Sequence, residues 1–265
     1  MNIGWPRALR PFANDLRLWA LVMLLLSAFR AVFIGIFSAQ IGEGSGLGDI
    51  FQVFLYGMRF DCQVAGYVVA LPVVLGLLAG RLPLQRLAGW LRIGLGAVFV
   101  FTALWMFVVA VNFFAEFDSP FNHFIFIGLE DDTNAIVQTI WKEYHPIPST
   151  ILFVILFVPL LRYVRTLGKI EPPSTNATQQ RSAWSTRLAA SLLVLVMLVL
   201  SIRGSVGKRP AQRIDAAISK DVFLNKAVLN PFVALNYAFK DHARLNSAAG
   251  LGVFLPDHDL EGALA

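Results

Sequence analysis

Hydrophobic stretches long enough, or nearly long enough, to cross a lipid bilayer recur along the chain up to residue 202. They cover residues 18–38, 62–80, 93–114, 149–164 and 188–202. Because about 20 apolar residues in a helix span the hydrocarbon core of a membrane, this pattern predicts an all-α polytopic membrane protein with a bundle of five transmembrane helices. The last stretch is short, and it crosses only if the bilayer thins or if Arg187 and Arg203 extend toward the interface.

The composition supports membrane insertion and excludes a nucleic-acid partner. The chain is 57% hydrophobic and 15% charged, with a mean hydropathy of +0.64, more apolar surface than a water-soluble domain of 265 residues can bury. A net charge of +5 would favour nucleic-acid binding in a soluble protein, but here the Arg residues flank hydrophobic stretches, where they serve orientation. Cys62 is the single cysteine, so neither an intramolecular disulfide nor a cysteine-built metal site is possible.

The flanking charges predict the orientation of the bundle. Basic residues lie beside alternate ends of the stretches: Arg7, Arg10, Arg17, Arg81, Arg86, Arg92, Arg162, Arg165, Lys169, Arg181 and Arg187. The two connecting loops of the other side carry only Arg59 and Lys142. Since cytoplasmic loops are enriched in Lys and Arg, we expect the cytoplasmic (inner) membrane, with the N-terminus inside and the C-terminus outside, on the periplasmic face.

The longest interruption, residues 112–144, is acidic and predicts an interfacial helix. Ile136, Val137, Ile140, Trp141 and Tyr144 recur at helical spacing behind a start signal at residues 131–133. An apolar stripe with Trp and Tyr beside a span favours a helix in the plane of the outer interface. A solvated loop packed on its neighbours is the alternative. Residues 50–58 could form a second, shorter interfacial helix.

No catalytic or metal-binding residue is predicted in the chain. The consecutive acids Glu130, Asp131 and Asp132 diverge around a helix start, so they complement its dipole better than they form an oxygen cage for a cation. The four histidines lack ligand spacing, and no hydroxyl has a nearby base in the sequence. Phosphate-loop, dinucleotide and zinc-hydrolase motifs are absent from the sequence.

Arg30 is the deepest charge in a predicted span, and such charges face the bundle interior with a partner. Asp61 and Asn112, each at the outer end of another span, are its candidate partners. One hypothesis is that Arg30 or Arg59 grips a lipid phosphate, because a guanidinium fork matches phosphate oxygens. The other is that Arg30 and Asp61 lock helices together. Asp61 cannot serve both, because pairing neutralises the arginine that a phosphate needs.

Residues 204–265 are hydrophilic on average, and we predict them to form extracytoplasmic juxtamembrane helices and a connector, distinct from the transmembrane domain at residues 1–203. Asn230 can cap a helix that begins at Pro231 and presents Phe232, Leu235 and Phe239 on one face. Residues 222–229 predict a shorter helix. The segment is too short for a substantial core of its own.

Several motifs resemble the membrane domain of the lipoteichoic-acid-synthase-like phosphoglycerol transferases. They are Arg59-Phe60-Asp61, the run EFDSPFNHFIF with EDDT after it, Trp141-Lys142-Glu143-Tyr144, Arg203-Gly204-Ser205, Lys208-Arg209-Pro210 and the segment 224–231. Their order and spacing over roughly residues 16–245 carry the resemblance.

The resemblance implies a five-helix membrane domain followed by a sulfatase-like domain of the alkaline phosphatase superfamily. That domain uses a threonine nucleophile with manganese or magnesium, and it transfers glycerol phosphate from phosphatidylglycerol. The sequence ends where that domain would begin, so no catalytic residue and no cofactor is assigned here, and we expect a truncated or split chain rather than a standalone module. The expected partners are membrane lipids, phosphatidylglycerol in particular, and a sulfatase-like catalytic domain in cis or in trans.

The expected function is therefore a membrane-anchoring, lipid-facing domain of a phosphoglycerol-transferase-like enzyme on the outer face of the membrane. The alternative is a small transporter or flippase. Inverted repeats, broken helices in matching positions and several buried charges are typical of that class, whereas the sequence offers little beyond Pro72 and Arg30.

Overall fold

The computed structural model describes residues 12–78, 84–126, 146–168 and 183–245. Within these ranges the chain is helical and forms no β-strand. The α-helices are α1 (Ala13–Ile36), α2 (Leu47–Leu78), α3 (Leu84–Phe117), α4 (Pro146–Leu167), α5 (Ala183–Arg203), α6 (Val222–Ala227) and α7 (Pro231–Leu245). Short 3₁₀-helices at Ser38–Gln40 and Arg213–Ala216 join them.

Four of the described helices are long and apolar enough to cross a membrane. They are α1, α2, α3 and the part of α4 from Ile147 to Leu167, whereas the apolar part of α5, Leu188–Arg203, is shorter. Within the described residues, the expectation of an all-α fold with helices that could cross a membrane is confirmed, and the count of five spans stays a prediction. Both α2 and α4 contain an internal proline, Pro72 and Pro159, which a bundle tolerates because neighbouring groups satisfy the freed carbonyls.

Two helices extend well beyond their predicted bounds. The second begins at Leu47 instead of residue 62, so residues 50–58 are the first turns of α2, and the prediction of a separate short helix there is wrong. The third begins at Leu84 instead of residue 93, so Arg86 and Arg92 lie within α3 rather than in a turn. Charged residues indicated helix boundaries in the sequence, but Asp61 and Arg92 are buried inside helices.

Helix α2 lies at the centre of the bundle, where it packs against α1, α3 and α5, while α4 packs on α3. Small residues allow the closest approaches. A Cβ on Gly66 of α2 would lie 2.8 Å from the backbone nitrogen of Ile202 in α5, and one on Gly89 of α3 would lie 2.7 Å from the carbonyl oxygen of Gly168. Such glycines at helix contacts are typical of membrane bundles.

The outward faces of α4 and α5 are strongly apolar. Exposed side chains cover both helices, among them Ile151, Leu152, Ile155, Leu192, Val196, Met197 and Val199. A contiguous apolar surface of this kind marks a membrane contact in a folded protein. These faces therefore fit lipid rather than water.

The tail, defined here as residues 204–245, shares a core with one end of the bundle, which we name the tail-bearing end. Phe223 and Leu224 of the tail are buried in one cluster with Ile34, Val53 and Phe60 of the first two helices. The Phe223 ring also stacks on Phe33 and meets Phe114 edge-on. We expected the tail to be too short for a core of its own; the bundle supplies the other half of that core.

A glycine directs the chain from α5 into the tail. Gly204 has a φ of +63°, a left-handed conformation in which its amide closes the helix by donating to the Leu200 carbonyl. A Cβ at this position would also lie 2.6 Å from the carbonyl oxygen of Arg59. Only glycine meets both demands.

The predicted start of the last helix is confirmed. The Asn230 side-chain oxygen accepts from the Val233 amide at 3.0 Å, and Pro231 opens α7. Of the residues predicted on one face, Phe232 and Leu235 are partly buried against the bundle, while the buried residues of α7 are Val233, Ala234 and Ala238. Phe239 is 60% exposed. Phe232 also meets the bundle, where its ring stacks on Phe99 of α3 at 5.6 Å.

Candidate functional site

Arg30 and Asp61 form a buried, bidentate ion pair that joins α1 to α2. The Arg30 Nη1 and Nη2 atoms lie 2.7 and 2.9 Å from the two carboxylate oxygens, and the side chains are 2% and 0% exposed. Two parallel charge-assisted hydrogen bonds of this kind fix both position and angle. Gly57 makes room for the pair, because a Cβ there would collide with the guanidinium.

The tail completes this site. Arg30 also donates to the carbonyl oxygens of Ala227 and Val228, at 3.3 Å from Nε and 3.2 Å from Nη2. The Asn230 amide donates to Asp61 at 3.0 Å while its oxygen caps α7. One network therefore ties together two helices of the bundle and both helices of the tail.

The geometry bears on the two hypotheses for Arg30. Arg30 is 4% exposed, and the N–H groups of its guanidinium face Asp61 and the tail carbonyls rather than open space. Asn112 is not part of the network, since it donates to the carbonyl of Val108 on its own helix at 2.9 Å. The arrangement is that of a helix lock, and it offers no guanidinium face to a lipid phosphate.

Arg59 is the more accessible of the two candidate arginines. Its Nε donates to the Gly204 carbonyl at 3.2 Å, and its Nη2 lies 3.6 Å from Asp215 in the tail. The side chain is 32% exposed. It lies at the tail-bearing end of a groove that runs along α2 and α5.

That groove has a volume of about 580 Å³ and is lined almost entirely by apolar side chains of α1, α2 and α5. The lining includes Leu16, Trp19, Leu55, Met58, Cys62, Val69, Val73, Leu193 and Met197. Its polar and charged lining residues include Asp15, which pairs with Arg92, and Arg59, Ser201 and Ser205. The Trp19 indole donates to the Ser201 hydroxyl at 2.8 Å, and that hydroxyl donates to the Cys62 carbonyl at 2.7 Å.

A second buried ion pair, which the sequence did not predict, joins α1 to α3 at the opposite end of the bundle. Arg92 Nε and Nη2 lie 2.6 and 3.0 Å from the two oxygens of Asp15. The sequence places both residues next to predicted spans rather than in them, although both lie inside helices. An acid among basic residues, close to an apolar stretch, was the available signal.

The predicted interfacial residues Ile136, Ile140, Trp141 and Tyr144 lie outside the described residues, as does the acidic trio at 130–132. In the part of the chain that the structure describes, no three His, Cys, Asp or Glu side chains come close enough to hold a metal ion.

Asp221 connects the tail to the loop between α1 and α2. One carboxylate oxygen accepts from the Gly42 amide at 2.9 Å and from the Ser45 hydroxyl at 2.7 Å, and the other caps α6 at the Leu224 amide. Burial by itself raises the pKa of Asp221, but these hydrogen bonds outweigh it and hold the pKa below its usual value.

Acidification should therefore loosen this connection. A carboxyl with a depressed folded pKa stabilises the fold above its unfolded pKa of about 4, and that contribution disappears as the pH falls through the lower, folded pKa. We expect proteolysis near residue 44 to accelerate below about pH 4 in the wild type. Asp221→Asn should already cleave faster at pH 7 and show less further change, whereas equal pH profiles would contradict this role.

Comparison with known proteins gave no further guide. No known protein family matches the chain, and no curated protein or solved structure is similar to it at a significant level.

Proposed function

We propose that the chain is a membrane-anchoring, lipid-facing domain of a phosphoglycerol-transferase-like enzyme that acts on the outer face of the cytoplasmic membrane. In this proposal α5 crosses the membrane as a fifth span. The observation that carries it is the Arg30–Asp61 lock, which binds the backbone and Asn230 of the tail. A rigid junction at this point would hold a sulfatase-like catalytic domain, supplied in cis or in trans, near lipid headgroups.

Helix lengths support a tail at the membrane surface. At about 1.5 Å per residue, the 32 residues of α2 and the 34 of α3 extend about 48 and 51 Å, against about 30 Å of hydrocarbon. The surplus turns project into the interface, and the polar tail packs beside them. There α7 exposes Phe239, so we assign it as an interfacial helix together with the one predicted at residues 136–144.

Transfer chemistry in this proposal belongs to the sulfatase-like partner domain, with its manganese or magnesium, and the donor is phosphatidylglycerol. In this proposal the described part of this chain holds that domain in position near the lipid. Its two buried ion pairs are internally neutralised, so they brace helices and leave no free buried charge for chemistry.

The alternative function, a transporter or flippase, needs a path for polar groups across the bilayer. The groove along α2 and α5 has a mostly apolar lining, which would not solvate a headgroup on its way across. The chemistry of this surface therefore favours anchoring over transport.

Turnover of phosphatidylglycerol tests the proposed function. The purified chain in vesicles of labelled phosphatidylglycerol should release no glycerol phosphate, with or without manganese. Protein isolated from native membranes through a tag on this chain should bring a manganese-dependent glycerol phosphate transfer activity with it. Asp61→Asn should reduce the recovered activity, and the exposed-pair control Asp241→Asn should not. Turnover by the chain alone, or no activity with the native material, would overturn the proposal.

The orientation can be tested with single cysteines in a Cys62→Ser background. Val206→Cys, at a side chain 91% exposed in the tail, should react with a membrane-impermeant maleimide in intact cells. Thr175→Cys, between the basic residues Lys169 and Arg181 on the predicted cytoplasmic side, should react only after the membrane is permeabilised. The reverse pattern would place the tail in the cytoplasm and refute the orientation.

A further inference from the structure

We propose that the groove along α2 and α5 is a binding site for one anionic phospholipid, with an acyl chain along the groove and the phosphate at Arg59. The proposal rests on the membrane insertion of the bundle but not on the kinship with phosphoglycerol transferases. It assigns a resident lipid to a surface outside the helix lock, to which the tail contributes Gly204, Ser205 and Val206 beside Arg59.

The shape and lining of the groove fit an acyl chain. Its volume of about 580 Å³ falls within the range of about 300–1,000 Å³ typical of ligand pockets. From Arg59 to Val73 its α2 wall extends about 21 Å at about 1.5 Å per residue, which is long enough for an acyl chain in one leaflet of a bilayer with about 30 Å of hydrocarbon. Within the wall, the Trp19 indole, the Ser201 hydroxyl and the Cys62 carbonyl form hydrogen bonds to one another.

The charge at one end of the groove selects the headgroup. Arg59 lines the groove, and the neighbouring segment 203–215 carries Arg203, Lys208, Arg209 and Arg213 against one acid of its own, Asp215. Arg213 is paired with Asp241 of α7. Asp215 pairs with both Arg59 and Arg209, at 3.6 and 3.0 Å, so it cannot neutralise the whole rim. A cationic rim above an apolar groove complements an anionic phospholipid, and the partly exposed guanidinium of Arg59 can reach its phosphate.

Native mass spectrometry with matched lipids tests the site. The purified full chain is equilibrated with equal amounts of phosphatidylglycerol and phosphatidylcholine of identical acyl chains. We expect the wild type to keep one phospholipid and to prefer phosphatidylglycerol by about fivefold, the order expected for one Arg near the membrane surface. Arg59→Gln should bind both lipids equally, while Lys240→Gln, an exposed cation of α7, should keep the preference.

Filling the groove should abolish binding. Met197 lines the groove and is 57% exposed, so Met197→Trp should lose the lipid without removing a core contact. Ile155→Trp, on the exposed face of α4, is the control and should bind as the wild type does. In the unmodified chain, phosphatidylglycerol should slow alkylation of Cys62, a thiol in the groove wall, so the test does not depend on how a variant folds.

Three results would overturn the site. Lipid retained by Met197→Trp as in the wild type would place it elsewhere on the bundle. An unchanged preference for phosphatidylglycerol in Arg59→Gln would show that the phosphate does not bind at Arg59. A wild-type chain that keeps no phospholipid and shows no protection of Cys62 would assign the groove to another occupant, such as a second copy or another segment of the chain.

Discussion

Asp61→Asn should lower the free energy of unfolding by about 3–5 kcal/mol, the usual cost of removing one partner from a buried ion pair. The substitution keeps the shape of the side chain but leaves the Arg30 charge buried without its counter-charge. It also weakens the acceptor for Asn230 and so reaches the tail. A lower thermal midpoint in detergent, or loss of folded protein, is the measurable result.

The matched control is Asp241→Asn, which breaks an ion pair with Arg213 whose side chains are 60% and 38% exposed. Exposed pairs contribute about 0–1 kcal/mol, so this variant should remain close to wild type. The double variant Arg30→Met with Asp61→Leu should recover much of the lost stability, because it leaves no buried charge. Recovery should be incomplete, since the carbonyls of Ala227 and Val228 lose their donor. Equal stability of Asp61→Asn and Asp241→Asn would refute the lock.

Asp15→Asn should cost a similar amount, about 3–5 kcal/mol, because it leaves Arg92 buried and unpaired at the opposite end of the bundle. The side chains of this pair are 7% and 3% exposed, so little water can replace the lost carboxylate. The part of the fold that Asp15→Asn loosens should differ from the part that Asp61→Asn loosens. This variant loosens α1 against α3 and leaves the contacts of the tail intact.

Thermal unfolding in detergent measures the loss of stability in Asp15→Asn. The double variant Asp15→Leu with Arg92→Met tests the cause of that loss. If the loss comes from the uncompensated charge, removing both charges should restore most of the stability. If the double variant is as unstable as Asp15→Asn, the pair contributes specific geometry rather than charge balance, and this explanation fails.

The long apolar stretches predicted the bundle, because such stretches have few stable forms in a membrane other than helices. Cap chemistry predicted the start of α7 at Asn230 and Pro231, since both residues act locally. These features depend on neighbours in sequence. The candidate pair of Arg30 and Asp61 followed from the cost of a lone charge in a span.

Features that depend on distant contacts were beyond the sequence. The Asp15–Arg92 pair joins residues 77 positions apart. Taken alone, each side chain resembles a charge that flanks a hydrophobic span. The helices of the tail were predicted but their burial was not, because the hydrophilic average of the segment hides Phe223 and Leu224, which are buried against the bundle. The groove at Arg59 also needed the structure, since α2 and α5 are far apart in the chain.

Amide hydrogen exchange of α6 and α7 in the membrane-inserted chain tests most directly whether the helix lock holds the tail. The amides of both helices should be protected in the wild type and in Asp15→Asn, and should exchange much faster in Asp61→Asn. Unprotected amides in the wild type, or the same protection in Asp61→Asn as in the wild type, would contradict the claim that Arg30 and Asp61 fix the tail to the bundle.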